Sequence, residues 1–219
     1  MDKLKLKNIN YSYEDGGKVN KVINDVNAEF KSGKLYAIVG ESGSGKTSLI
    51  SLISALESLQ EGDILFNDTS INDISLEKFR LSYVNIVFQS YNLINYMTAK
   101  ENVEVALDFS NNTTTNAIDI LDSVGIDEDK ANRLVLKLSG GEQQRVAIAR
   151  SFASDVPIIV ADEPTGNLDE ETEDKIMELF KNFAKKGKIV ILVTHSKKVA
   201  SKADVVYKMK KGKLETTTK

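Results

Sequence analysis

Gly40-Glu41-Ser42-Gly43-Ser44-Gly45-Lys46-Thr47 is the stretch whose reading decides the fold. A short apolar run at residues 35–39 precedes it, and a helical pattern follows from Lys46 to about residue 56. The segment therefore lies where a buried strand hands over to a helix, and its G-x-x-x-x-G-K-[ST] spacing in that context predicts a phosphate cradle. Glycines let the backbone curl around an anion with its N–H groups inward, and the N-terminus of the next helix adds positive potential. Lys46 is placed to reach the β- and γ-phosphates of a nucleotide, and the Thr47 hydroxyl to ligate Mg²⁺. Gly40, Glu41, Ser42, Gly43, Ser44, Gly45, Lys46, Thr47 and the adjoining Ser48 are the nucleotide-binding candidates. A flexible Gly/Ser linker would explain neither the strand before the motif nor the helix after it.

Downstream, Ile158-Ile159-Val160-Ala161 runs into Asp162-Glu163, an apolar strand ending in two carboxylates. Ligands of parallel α/β sheets bind beyond the carboxyl ends of the strands. That predicts Asp162 beside Mg²⁺ and leaves Glu163 free to polarise an attacking water. Taken alone, the pair reads as solvated charge; the phosphate cradle upstream gives it a task.

The rest of the chain fits around this centre. Residues 3–7 alternate Lys and Leu, and Val26, Ala28 and Phe30 resume period 2 after the Asp15-Gly16-Gly17 turn, which predicts antiparallel strands early on. The later strands, near 156–161 and 189–193, are continuous β-branched runs separated by helices, as in a buried parallel sheet. Between them, residues 90–136 read as a mainly helical insert. It opens with a capping box at Thr98-Ala99-Lys100-Glu101 and continues, past a polar loop at 111–115, in a second helix over 115–124. Residues 171–184 predict an amphipathic helix, and the strand segments 205–209 and 213–215 a terminal hairpin around Gly212. With 219 residues the chain is read as one domain over 1–219, able to bury its own core. A net charge of −3 offers no field to attract nucleic acid. The absence of cysteine excludes disulfides and suits a reducing cytosol. No apolar run approaches the roughly 20 residues of a membrane span, so any membrane association has to come through a partner.

A cradle and an acidic strand end are shared by kinases, GTPases and helicases. Leu138-Ser139-Gly140-Gly141-Glu142-Gln143-Gln144-Arg145 separates this chain from them, because it resembles the ABC signature in full. Physically, Ser139, Gly140, Gly141, Glu142 and Gln143 would make a second anion site at a helix start; a bare Gly-Gly helix cap is the alternative. The resemblance covers almost the whole chain, from Leu4 to about Leu214. It implies a RecA-like P-loop NTPase core of α/β class, with an antiparallel β subdomain and a helical insert. It also implies ATP as ligand and a homodimer in which each signature acts on the ATP held by the other copy. Gln89 resembles the glutamine that touches Mg²⁺ and water and senses the membrane partner. Asn167-Leu168-Asp169 resembles the loop that crosses the dimer interface, with Asp169 also suited to cap a helix. His195, the only histidine, resembles the switch histidine at the γ-phosphate, and Tyr13 the aromatic that stacks on adenine, with Tyr11 on the same strand face.

Two strings narrow the resemblance. Asp162-Glu163-Pro164-Thr165-Gly166-Asn167-Leu168-Asp169 and Val87-Phe88-Gln89-Ser90-Tyr91-Asn92-Leu93 are similar to the subgroup of lipoprotein-release, macrolide-export, cell-division and bacitracin-resistance ATPases. That implies a separate integral membrane permease and a place on the cytoplasmic face of the membrane. Two positions depart from the pattern: Ser196 stands where an Asp commonly follows the histidine, and residues 57–61 lack the usual turn. The alternatives are an ABC ATPase without a transporter, for which the interval from Lys46 to Leu138 leaves no room for a coiled coil, and a low-turnover nucleotide-dependent module, against which Glu163 and His195 speak.

Overall fold

The computed structural model describes residues 1–110 and 115–217; of the polar loop expected at 111–115, the first four positions lie outside them. Strand β1 (Lys3–Asp15) begins with the expected alternation, Leu4 and Leu6 fully inward and the lysines out. It continues beyond the predicted residues through a bulge at Asn8, which keeps Ile9 and Tyr11 on the buried side. Strand β2 (Lys18–Lys31) returns antiparallel to it. After β3 (Lys34–Gly40) and α1 (Lys46–Ile53), β4 (Glu61–Phe66) pairs with the free edge of β1 and β5 (Thr69–Ser70) with β4. The first sheet is thus antiparallel, in the order β2-β1-β4-β5.

Helices α2 (Ile71–Ile74) and α3 (Leu76–Ser82) lead to β6 (Val84–Val87). The insert follows as α4 (Ala99–Ser110), α5 (Ala117–Ser123), α6 (Glu128–Ala131) and a 3-10 turn, Val135–Lys137. The Thr98–Glu101 capping box forms as expected, whereas α5 starts later than Thr115 because Asn116 caps it by accepting from Ile118 N. Next come α7 (Gly140–Ala153), β7 (Ile158–Asp162), α8 (Glu170–Lys185), β8 (Ile189–Thr194) and α9 (Lys197–Ser201), then the hairpin β9 (Val205–Lys210) and β10 (Lys213–Thr217). The second sheet has the order β10-β9-β3-β8-β7-β6, parallel except for the last hairpin.

Its central strands are buried on both faces, which is why they read as unbroken apolar runs. Period 2 still sorts their side chains. Leu35, Ala37, Val190 and Leu192 pack with the insert, α7 and α8, while Tyr36, Ile38, Ile189, Ile191 and Val193 pack with α1 and the antiparallel sheet. The turn missing at 57–61 is replaced by side-chain chemistry. The Gln60 amide pairs with the Ser12 backbone in both directions, 2.8 Å to its N and 2.8 Å to its O, and the Tyr11 hydroxyl donates to Glu57 at 3.0 Å. Gln60→Ala removes both exposed bonds. It is expected to lower stability by about 0.5–1 kcal/mol, read as a melting temperature lower by roughly 1–3 °C.

Candidate nucleotide site

The topology delivers the candidate residues to one edge of the parallel sheet. The phosphate loop leaves the carboxyl end of β3, Gln89 lies just beyond β6, Asp162 and Glu163 end β7, and His195 follows β8. Together they line a cleft of about 520 Å³ formed by Gly40, Ser42, Gly43, Gly45, Lys46, Thr47, Ser48, Gln89, Asp162, Glu163 and His195, with Val22 of β2. Val22 was invisible in the sequence, since nothing in the β2 pattern marks this half-buried residue as cleft-lining.

Within the cleft, Lys46 Nζ donates to the carbonyls of Gly40 and Glu41, both at 2.9 Å, so the ammonium closes the loop on itself. Thr47 Oγ1 donates to Asp162 Oδ2 at 3.2 Å, joining the loop to the β7 carboxylate. Glu41 and Ser44 belong to the loop but face its other side, where they border a small cavity with Lys208, Lys210 and Lys211. Tyr13 is 42% exposed at the cleft margin, its hydroxyl 3.5 Å from Ser48 Oγ. Tyr11 packs edge-on against it but is buried, and burial together with the Glu57 bond pushes its phenol up to about 12. Of the two tyrosines only Tyr13 has a free ring face to offer.

Glu163 has a left-handed backbone, φ +48, held by its N–H to Val193 O at 2.9 Å. Strain of this kind in a non-glycine residue persists where the surroundings over-determine it. Its carboxylate is largely covered and lies 2.8 Å from Nδ1 of His195, whose ring is open to solvent. Burial raises the Asp162 pKa above the ordinary aspartate value and the Glu163 charge adds to this, while the Thr47 bond and Lys46 oppose it. A carboxyl raised on folding favours the native state while protonated and loses that contribution as pH climbs through its folded pKa. Ionised Asp162 therefore costs stability at neutral pH. Asp162→Asn is expected to raise the melting temperature of the nucleotide-free chain by roughly 1–3 °C at neutral pH. The gain should fade as pH falls through the raised pKa of Asp162, where the native aspartate becomes neutral too.

Ser139, Gly140, Gly141, Glu142 and Gln143 do not line this cleft. They form the first turn of α7, where Ser139 Oγ accepts from Glu142 N and Glu142 Oε2 accepts from Ser139 N, a complete capping box. Gln143 Nε2 donates to Leu138 O at 2.9 Å. Asp169 caps α8 by accepting from Thr172 N, the capping role its position suggested. Ser196 caps α9 by accepting from Val199 N, so a hydroxyl serves as helix cap where the familiar carboxylate is missing.

The profile of the ABC transporter family matches residues 23–166. The ABC transporter ATP-binding protein YclH of Bacillus subtilis, itself uncharacterized, is 44% identical over 97% of this chain and 95% of its own. The ATP-binding protein LolD of the lipoprotein-releasing system of Rickettsia bellii is 38% identical over 96% of each chain. Among solved structures, the dimeric post-hydrolysis state of the cassette MJ0796 of Methanocaldococcus jannaschii, bound to ADP and Pi, superposes with a TM-score of 0.91 at 36% identity, over 99% of both chains. By the family profile and these relatives, the chain belongs to the ABC transporter family as an ATP-binding subunit.

Proposed function

We propose that two copies of this chain hydrolyse ATP between them, each nucleotide lying between the phosphate loop of one copy and the signature of the other, and that this drives a separate membrane permease. One observation carries the reading. Lys46, the Thr47–Asp162 pair and the Glu163–His195 pair converge on a single cleft while Ser139–Gln143 stays outside it, so one chain holds a full set of chemical groups but only half of the enclosure. The dimeric MJ0796 cassette with ADP and Pi supports a shared site.

In this mechanism the phosphates take over the Lys46 ammonium from the Gly40 and Glu41 carbonyls, and the N–H groups of Gly43 to Thr47 surround them. Tyr13 stacks on the adenine. Glu163 accepts the proton of the attacking water, and His195 holds the carboxylate and faces the γ-phosphate. Ser139 and the N–H groups of the α7 start close over the same phosphate from the other copy. Thr47 Oγ1, Asp162 Oδ2 and the Gln89 side chain form an oxygen set suited to Mg²⁺, which binds through one or two carboxylates and phosphates and keeps several waters. Bound there, Mg²⁺ would neutralise charge on the transferring phosphoryl group.

No helix among the described residues is long and apolar enough to cross a membrane, so the load is reached through another protein. A groove beside α4, lined by Arg80, Leu81, Ile94, Phe109 and Arg150, leaves Leu81 59% and Phe109 74% exposed and suits an apolar permease segment. The chain would then work as one domain on the cytoplasmic face of the membrane, with lipoprotein release, antibiotic export or mechanotransmission as its class of task, and with no nucleic acid as partner. The decisive assay follows phosphate release and molecular mass of the purified chain with ATP and Mg²⁺. Hydrolysis that rises with dimer formation is expected; a monomer that binds ATP and releases no phosphate sinks the proposal.

A further inference from the structure

The residues just beyond Gln89 are held in an unusual shape. Tyr91 and Asn92 both have left-handed backbones, φ +63 and +48, which L side chains adopt only under constraint. The constraint is Arg150 on α7, whose Nη2 donates to Tyr91 O at 3.1 Å and Nη1 to Asn92 O at 2.7 Å. Ser90 Oγ adds a bond to Asn92 Oδ1 at 2.8 Å. From this anchor the Tyr91 side chain runs along α7 toward its signature end, where a Cβ on Gly140 would lie 3.3 Å from the phenol oxygen. Arg150 and Gly140 are about 15 Å apart along the helix axis, so one tyrosine joins two distant points of α7.

At the signature end the hydroxyl accepts from Asn167 Nδ2 at 2.9 Å. The same Nδ2 lies 3.4 Å from Gln144 Oε1, and Gln144 Nε2 lies 3.5 Å from the carbonyl of Glu163. Gln144 is wholly buried, so these long contacts are what its amide has in place of water. Such an amide follows its neighbours rather than fixing them. The short bond in the series is the one from Asn167 to Tyr91, which makes the phenol the group that sets the position of the others.

We propose that Tyr91 is a positioning residue for hydrolysis: its hydroxyl orients Asn167 and, through buried Gln144, the strained backbone of Glu163, linking the Gln89 loop to the carboxylate within one subunit. The inference rests on the reading of Glu163 as the base. It predicts that breaking the link at Tyr91 changes the chemical step and not the grip on ATP, since the side chains of Tyr91, Asn167 and Gln144 do not line the nucleotide cleft.

Tyr91→Phe removes one oxygen and keeps the ring. Steady-state hydrolysis should show kcat down roughly five- to tenfold, the loss of one well-made hydrogen bond, with KM for ATP within about twofold and a melting temperature lower by no more than roughly 3 °C. Asn167→Ala should show a similar fall, and the double variant Tyr91→Phe/Asn167→Ala no further fall, because both changes break the same link. An unaltered kcat in Tyr91→Phe, a loss that appears in KM, or effects that multiply in the double variant would each overturn the proposal. Glu163→Gln in the same assay separates the two readings. If it keeps full turnover, base and positioning role fall together; if it is dead while Tyr91→Phe is silent, only the positioning role falls.

Discussion

Glu163→Gln is expected to lower ATP turnover by about 10²–10³-fold while leaving ATP binding intact. The substitution is nearly isosteric, and Gln Oε1 can still accept from His195 Nδ1 at the 2.8 Å contact, so the geometry of the strand end should survive. What disappears is the ability to take a proton. The left-handed backbone at this position, φ +48, and the N–H bond to Val193 O are main-chain features that the change does not touch. If the dimer closes on ATP and opens after hydrolysis, a chain that binds and cannot hydrolyse should accumulate closed. Size-exclusion chromatography with light scattering should therefore show an ATP- and Mg²⁺-dependent dimer in Glu163→Gln where the native chain shows mostly monomer. Unchanged phosphate release would remove Glu163 from the chemistry. A dead enzyme that stays monomeric would instead separate hydrolysis from dimer opening.

The cleft was legible in the sequence wherever a chemical task is carried by neighbouring residues. Gly40–Thr47, Asp162-Glu163 and the stretch around His195 each sit at a strand end, and parallel topology brings strand ends together whatever the detail of the packing. The two sheets were legible for a related reason, since half-buried and fully buried strands differ in period. Val22 and the path from Tyr91 to Glu163 were not. Their partners lie far apart in the chain, and a buried glutamine such as Gln144 reads locally as one more polar residue on a helix. The short helices α2, α6 and α9 were also missed, because each holds its shape through a cap (Ser70, Asp127, Ser196) rather than through an apolar period long enough to recognise. The apolar pattern after Lys46 overshot the helix for a comparable reason: α1 stops at Ile53, and Ala55, at φ +55, turns the chain while staying buried.

Gly45→Ala is expected to abolish high-affinity nucleotide binding, with a loss of at least about 100-fold, and to destabilise the free chain by roughly 2–4 kcal/mol. Gly45 is the residue before α1 and has φ +104, outside every region open to an L residue. An added Cβ would also stand 2.7 Å from Val22 O, 2.9 Å from Met209 Cε and 3.2 Å from Ile23 Cδ1. The methionine can swing away. The Val22 carbonyl belongs to the backbone of β2 and cannot, so the loop must move instead. Any such movement rotates the N–H groups at the start of α1, and a phosphate held by several converging dipoles loses them together. Gly43→Ala supplies the contrast, because Gly43 has φ +74 but nothing within 4 Å of a Cβ. It carries the backbone strain without the collision and should cost only about 1 kcal/mol. Isothermal titration with ATP and thermal melts of the two variants measure both consequences. Equal losses in the two would mean that the loop tolerates crowding from β2, and that strain alone governs its shape.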